Sequence, residues 1–265
     1  MRFALLIQYD GGNYHGWQIQ PNTPTVQGSI ESALQKVFGE KIALHGSGRT
    51  DAGVHALGQV AHFDVDETSI PHTHIWMTLN RYLPADIRIL ASAQTNADFH
   101  SRFMAVQRQY RYQIISNADI LRRNACWHVR FPLSMDILES LSRQILGVHD
   151  FSSFCYAQSE TENMTCNISK ARWEKDADGV IRFTVKADRF LHHMVRMLVG
   201  SMVEVARGKW EIGKFTKLLE NPDRQNHTVT AAPQGLALIK VSYPDEVQPD
   251  WLLFEQDLAP SLHAG

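Results

Sequence analysis

The sequence predicts an α+β protein: two ferredoxin-like β-α-β-β-α-β halves joined in a mixed, mostly antiparallel sheet. Three observations lead there. β-rich and helix-period runs alternate through the first hundred residues, the same order recurs afterwards with longer connections, and no low-complexity linker divides the two. The 265 residues, 44% of them hydrophobic, suffice for a buried core in one large domain or two joined ones. The halves are expected at residues 1–105 and 106–265, meeting near Met104 to Gln107.

In the first half "RFALLIQYD" is β-rich. "TVQGSIESALQKVFG" follows, with Val26, Ile30, Leu34 and Val37 at helical spacing, Thr25 as cap and Gly39 as stop. "KIALHG" and "GQVAHFDVD" read as strands, Ile75 to Tyr82 as a helix ending before Pro84, and "DIRILASAQ" as a further strand. In the second half "RQYRYQII" is a strand and "MDILESLSRQILG" a helix. "ISKARWEKDADGVIRFTVKAD" is a hairpin turning at Asp176 to Gly179. A long helix from about Phe190 to Arg207, a short one from about Ile212 to Leu219, and the strand "GLALIKVSY" close the chain's pattern.

Composition removes several classes of function. Cys126, Cys155 and Cys166 are odd in number and too widely spaced for C-x-x-C, so neither a disulfide framework nor a thiolate metal site is indicated. "MRFALLIQYD" is too short an apolar run for a signal-peptide core, and no later segment approaches a membrane span. The expected location is cytoplasmic, with no membrane partner. "DGGNYHG" lacks the G-x-G-x-x-G order and no G-x-x-x-x-G-K-[ST] occurs, which weighs against dinucleotide and NTP binding. His192 and His193 in "FLHHMVRMLVG" lack the H-E-x-x-H pattern and, as neighbours on a helix, would point about 100° apart. No metal and no cofactor are expected.

The net charge of −2 hides a local basic segment. Between Phe99 and Met135 lie Arg102, Arg108, Arg111, Arg122, Arg123 and Arg130 against one acid, Asp119. Phe103, Tyr110, Tyr112, Trp127 and Phe131 are interleaved with them, a combination suited to phosphates and unpaired bases. A plain solvated face is the alternative.

"GSGRTDAGVH", residues 46–55, sets Arg49 and Asp51 two apart in a glycine-studded loop between strands. One reading is a turn made by Asp51 and Gly53 with an incidental ion pair at Arg49. The other is a carboxylate held ionised by a nearby guanidinium, available as nucleophile or base. Arg196 lies on the helix of "FLHHMVRMLVGSMVEV", whose broadly apolar surface argues for burial. A buried guanidinium needs an anionic partner, and Asp51 is a candidate.

Five stretches carry a resemblance: "YDGGNYHGWQIQPNTPTVQGSIESAL", "GSGRTDAGVHALGQVAHF", "FHSRFMAVQRQYRYQI", "FLHHMVRMLVGSMVEV" and "AAPQGLALIKVSYP". Their order, from about Phe3 to Pro244, resembles that of the bacterial tRNA pseudouridine synthase A (TruA) family, most specifically at Gly48 to Ala56. The resemblance implies isomerisation of uridine to pseudouridine at positions 38, 39 and 40 of the tRNA anticodon stem-loop, without cofactor or metal, by a homodimer. It implies Asp51 as catalytic carboxylate, Arg196 as its basic partner, Tyr110 as the active-site tyrosine that stacks on a flipped uracil, and Arg49 in positioning the RNA. Arg81, Tyr82 and Ala237 depart from the family pattern without touching these residues. Two rival functions are a non-catalytic RNA-binding module, since ferredoxin-like sheets also bind RNA without altering it, and a related isomerase acting on a different RNA.

Overall fold

A computed structural model describes residues 1–249; residues 250–265, the end of the predicted second half, lie outside the described residues. The chain forms two compact units, 1–106 together with residues from Leu238 onward, and 107–237. In chain order the first unit's elements are β1 (Arg2–Tyr9), α1 (Val26–Phe38), β2 (His45–Gly46), β3 (His55–Asp64), α2 (Ile75–Leu79) and β4 (Ile87–Thr95). The second contains β5 (Gln107–Ile115), β6 (Trp127–His128), α3 (Met135–Gln144), β7 (Gly147–Asp150), β8 (Thr165–Lys175), β9 (Ile181–Ala187), α4 (Met194–Ala206) and α5 (Ile212–Glu220). A last strand, β10 (Leu236–Ser242), runs into the first unit from Leu238.

In the first unit β1 pairs antiparallel with β3 and with β4, and β2 pairs with β3. The resulting order β4-β1-β3-β2 is what a β-α-β-β-α-β succession produces. Phe3, Leu5, Ile7 and Tyr9 alternate along β1 and are buried, as period two requires of a strand covered on that face. Val26, Ile30, Ala33 and Leu34 form the buried stripe of α1. Thr25 caps α1 by accepting from the Gly28 amide at 3.3 Å, and Gly39 ends it in the left-handed region at φ 83°. β10 lies beside β3, close enough that the Ile239 carbonyl fills the space a Cβ on Gly58 would need.

Two expectations change here. Only His45–Gly46 of "KIALHG" is strand. Ahead of it the backbone of Leu44 bonds to α1 side chains instead of a ladder, donating to Glu31 and accepting from Gln27 at 3.0 Å each. α2 stops at Leu79 and not Tyr82, because the Asn80 amide group pairs with both backbone groups of Ile89 on β4.

In the second unit the order is β5-β9-β8-β7, antiparallel throughout, with the short β6 parallel to β5. The hairpin between β8 and β9 turns where expected: Gly179 has φ 82° and the Asp176 carboxylate accepts from the Val180 amide at 2.7 Å. Trp173 and Phe183 stack across that hairpin at 4.7 Å. β6 and β7 escape sequence analysis because two to four residues without strict alternation carry no periodic signal. Cys126, Cys155 and Cys166 are buried free thiols, and burial pushes Cys166 up to about 12.

The long helix also begins late. α4 starts at Met194, and a turn closed by the Met194 amide on the Leu191 carbonyl at 3.1 Å stands ahead of it, with His193 in the left-handed region at φ 65°. His192 and His193 are therefore not helical neighbours; their rings lie 4.2 Å apart and both pack on Tyr156.

Candidate active site

The loop "GSGRTDAGVH" in the first unit is displayed on a prepared bed. Within it the Val54 amide donates to the Asp51 carbonyl at 3.1 Å, and Gly53 has φ 76°, the conformation such a turn demands at its third residue. The turn and a chemical role are thus compatible. Arg49 is exposed, Thr50 buried and Asp51 half-buried, so the residue tying the loop to the core is the one between the two charged groups.

That tie comes from residues 9–17. The Tyr9 hydroxyl and Thr50 Oγ1 share a hydrogen bond of 2.8 Å. The Trp17 amide donates to the Thr50 carbonyl at 3.1 Å and the Gly53 amide to the Tyr14 carbonyl at 3.3 Å. The Gly11 amide donates to His55 Nδ1 at 3.1 Å, while Asp10 stands 3.0 Å from the same ring nitrogen. Gly11 and Gly16 permit this approach: a Cβ would lie 2.0 Å from the Val54 carbonyl oxygen at the first and 2.6 Å from that of Thr50 at the second, where φ is 93°. Below the loop the Gln59 side chain accepts from the Ser47 hydroxyl at 2.6 Å and donates to the Gly48 carbonyl at 2.9 Å. Tyr14 donates to Asp86 at 2.6 Å; burial first, and then that bond, pushes its hydroxyl above the ordinary phenol range.

The "DGGNYHG" stretch, which lacks the order of a dinucleotide loop, lies against the 46–55 loop. Gly11 and Gly16 of the same stretch let the backbone approach the 46–55 loop. The available signal was their placement beside Tyr9, Tyr14 and Trp17, which is dense for a plain connection.

The second unit holds the other two named residues. Tyr110 lies on β5, on the face shared with buried Tyr112 and Ile114, where the core gives way to partial exposure. Its ring meets Phe190 edge-on at 5.1 Å. Arg196 is in the first turn of α4 and half-buried, on a helix most of whose residues are buried. Its Nε donates to the Ala231 carbonyl at 2.9 Å, and the Ala231 amide donates to the Arg196 carbonyl at 3.0 Å. Tyr112 donates to the next carbonyl, Ala232, at 2.6 Å. Tyr110 thus meets the segment just ahead of α4, and Arg196 is tied to the 231–232 segment that Tyr112 also holds.

The arginine-rich stretch is divided in use. Arg122 pairs with Asp178 at 3.0 Å and Asp119 at 3.6 Å, and Arg108 donates to the Asp188 carbonyl. Burial, and then the charge of Arg182, lowers Arg111 from its ordinary value. Arg102 lies over the ring of the 77% exposed Phe103 at 5.7 Å.

Residues 5–104 and 141–244 match the protein family described as tRNA pseudouridine synthase. Proteins named tRNA pseudouridine synthase A are similar over nearly their whole length. That of Halalkalibacterium halodurans is 41% identical over 89% of this chain and 90% of its own; that of Brevibacillus brevis is 41% identical over 91% and 99%. The chain belongs to the tRNA pseudouridine synthase family. A third relative of that name, from Acetivibrio thermocellus, is 39% identical over 90% of this chain and 98% of its own. As a tRNA pseudouridine synthase of the A type the enzyme is an isomerase, and both matched segments contain residues described above: Arg49 and Asp51 in the first, Arg196 in the second. Tyr110 falls between the matched segments. Among the described residues no helix of this pseudouridine synthase is long and apolar enough to cross a membrane.

Proposed function

We propose that the enzyme converts uridine to pseudouridine at positions 38, 39 and 40 of the tRNA anticodon stem-loop, in the cytoplasm and as a homodimer, with Asp51 as the catalytic carboxylate. The conversion breaks the bond from N1 to C1′, turns the uracil over, and joins C5 to C1′. The hydrogen leaves C5, and N1 ends protonated. Every atom of the product is already in the substrate. What the enzyme must supply is a base taken out of its stack and a carboxylate beside the ribose. Three routes are open to Asp51: attack at C1′, addition to the uracil ring, or removal of a 2′ proton.

Tyr110 is the residue that stacks on the displaced uracil, Arg196 is the basic group of the site, and Arg49 positions the RNA. Tyr110 suits that part by its half-exposed position at the end of a buried face. The observation that carries the reading is the bracing of the Asp51 loop by residues 9–17, which an incidental surface turn does not need. Family membership supports the reaction class.

Purified Asp51→Ala enzyme is expected to bind tRNA and to form no pseudouridine; product formed by that variant would overturn the assignment. Mapping pseudouridine in tRNA from cells lacking the gene tests the substrate separately, and sites 38 to 40 still modified would sink that part alone.

A further inference from the structure

We propose that the hydrogen bond between Tyr9 and Thr50 is a positioning device that aims the Asp51 carboxylate, making Tyr9 and Thr50 positioning residues of the reaction. The inference rests on the reading of Asp51 as catalytic carboxylate. Thr50 immediately precedes Asp51 and is fixed twice, by its hydroxyl on Tyr9 at 2.8 Å and by its carbonyl under the Trp17 amide at 3.1 Å. Asp51 is followed by its own turn, closed by the Val54 amide. With the peptide set on both sides, the direction of its Cα–Cβ bond is set as well, independently of what the carboxylate touches.

The choice of residue types supports this role. Tyr9 is 3% exposed and Thr50 6%. Two hydroxyls buried against each other contribute little net stability, since a phenyl ring and an isopropyl group of nearly the same shape would fill the space without desolvation cost. A buried pair of this kind is useful for specifying one geometry. Tyr9 is further held by a tilted contact with Trp17 at 6.0 Å, the residue whose amide also binds the Thr50 carbonyl, so Trp17 steadies both ends of the bond. Gly16 closes the arrangement, because a side chain there would meet the Thr50 carbonyl.

The test uses the whole chain in excess over an unmodified tRNA transcript tritiated at uracil C5, reading single-turnover tritium release, tRNA affinity by filter binding, and the fraction folded by circular dichroism. Tyr9→Phe and Thr50→Val are each expected to lower the single-turnover rate per folded enzyme by about tenfold to a hundredfold, the range set by a misplacement of order 1 Å, with tRNA affinity unchanged. The double variant is expected to be no slower than the singles, and Thr50→Ser to recover most of the rate. A rate within twofold of wild type in either Tyr9→Phe or Thr50→Val, with only the melting temperature lowered, would overturn the proposal. Asp51→Asn is run alongside: an inactive Asp51→Asn with normal Tyr9→Phe removes this inference only, whereas an active Asp51→Asn removes the catalytic assignment on which it rests.

Discussion

Arg196 and Tyr112 hold two consecutive carbonyls of one loop: the guanidinium Nε donates to Ala231 and the phenol hydroxyl to Ala232. Tyr112 is fully buried, and burial pushes its hydroxyl far above the ordinary phenol range while the charge of Arg196 pulls it back down. The hydroxyl is therefore a permanent donor. Removing it in Tyr112→Phe leaves the Ala232 carbonyl without that bond, at a cost of about 1 to 2 kcal/mol measurable in urea unfolding. Arg196→Lys keeps the charge and loses the directed Nε donor. A double-mutant cycle on the two is expected to show coupling of about 0.5 kcal/mol or more, and strict additivity would show that the loop does not link them.

Gly200, one turn beyond Arg196, separates helix propensity from close packing. Alanine in a helix interior is favoured over glycine by about 1 kcal/mol, so an isolated helix would gain from the change. Here a Cβ would lie 2.0 Å from the Val229 carbonyl oxygen and 2.9 Å from the Ala231 nitrogen, both backbone atoms that cannot swing aside. Overpacking of this kind costs about 1 to 3 kcal/mol, so Gly200→Ala is expected to lower stability and, by displacing segment 229–231, turnover as well. A higher melting temperature in that variant would show that the segment moves freely.

His62 gives the first unit a pH dependence. It is buried, accepts from the Ser101 amide at 3.2 Å, stacks on His45 at 5.0 Å and meets His100 edge-on at 4.7 Å. Burial above all, and then the neighbouring His100, Arg2 and His45 against the opposing Asp64, lower it from 6.5 to about 4. The unfolded chain therefore takes up this proton first as pH falls. The contribution is complete above about 6.5 and is lost as pH drops toward 4, by at most about 1.4 kcal/mol per unit. Urea midpoints at pH 7.5 and pH 5 should differ in wild type and differ less in His62→Asn, where His100, also lowered by burial, keeps part of the dependence; an unchanged difference would place it elsewhere.

Much of this was legible in the residues. Thr25 and Gly39 mark both ends of α1, Asp176 and Gly179 mark the hairpin, and the G-R-T-D run marks the loop, because each is a local device whose side chains or dihedrals declare it. The start of α4 was not legible. Phe190 and Leu191 continue the apolar period although the backbone has turned, since periodicity reports which residues are covered and not whether they are helical. His193 adopts φ 65° with no glycine or asparagine to announce it. The bracing of the Asp51 loop was hidden for another reason. It is made largely by backbone groups some forty residues away in sequence, and these leave only the glycines that let them approach.

The return of β10 to the first unit bears on how the enzyme is made. The strand that follows the G-R-T-D loop, β3, gains its β10 neighbour from residues that leave the ribosome only after the whole second unit has been synthesised. At about 5 to 20 residues per second, that edge stays unpartnered in the nascent chain for roughly ten to thirty seconds. A chain cut short before Leu238 would carry the entire G-R-T-D loop and still lack the strand that completes its sheet.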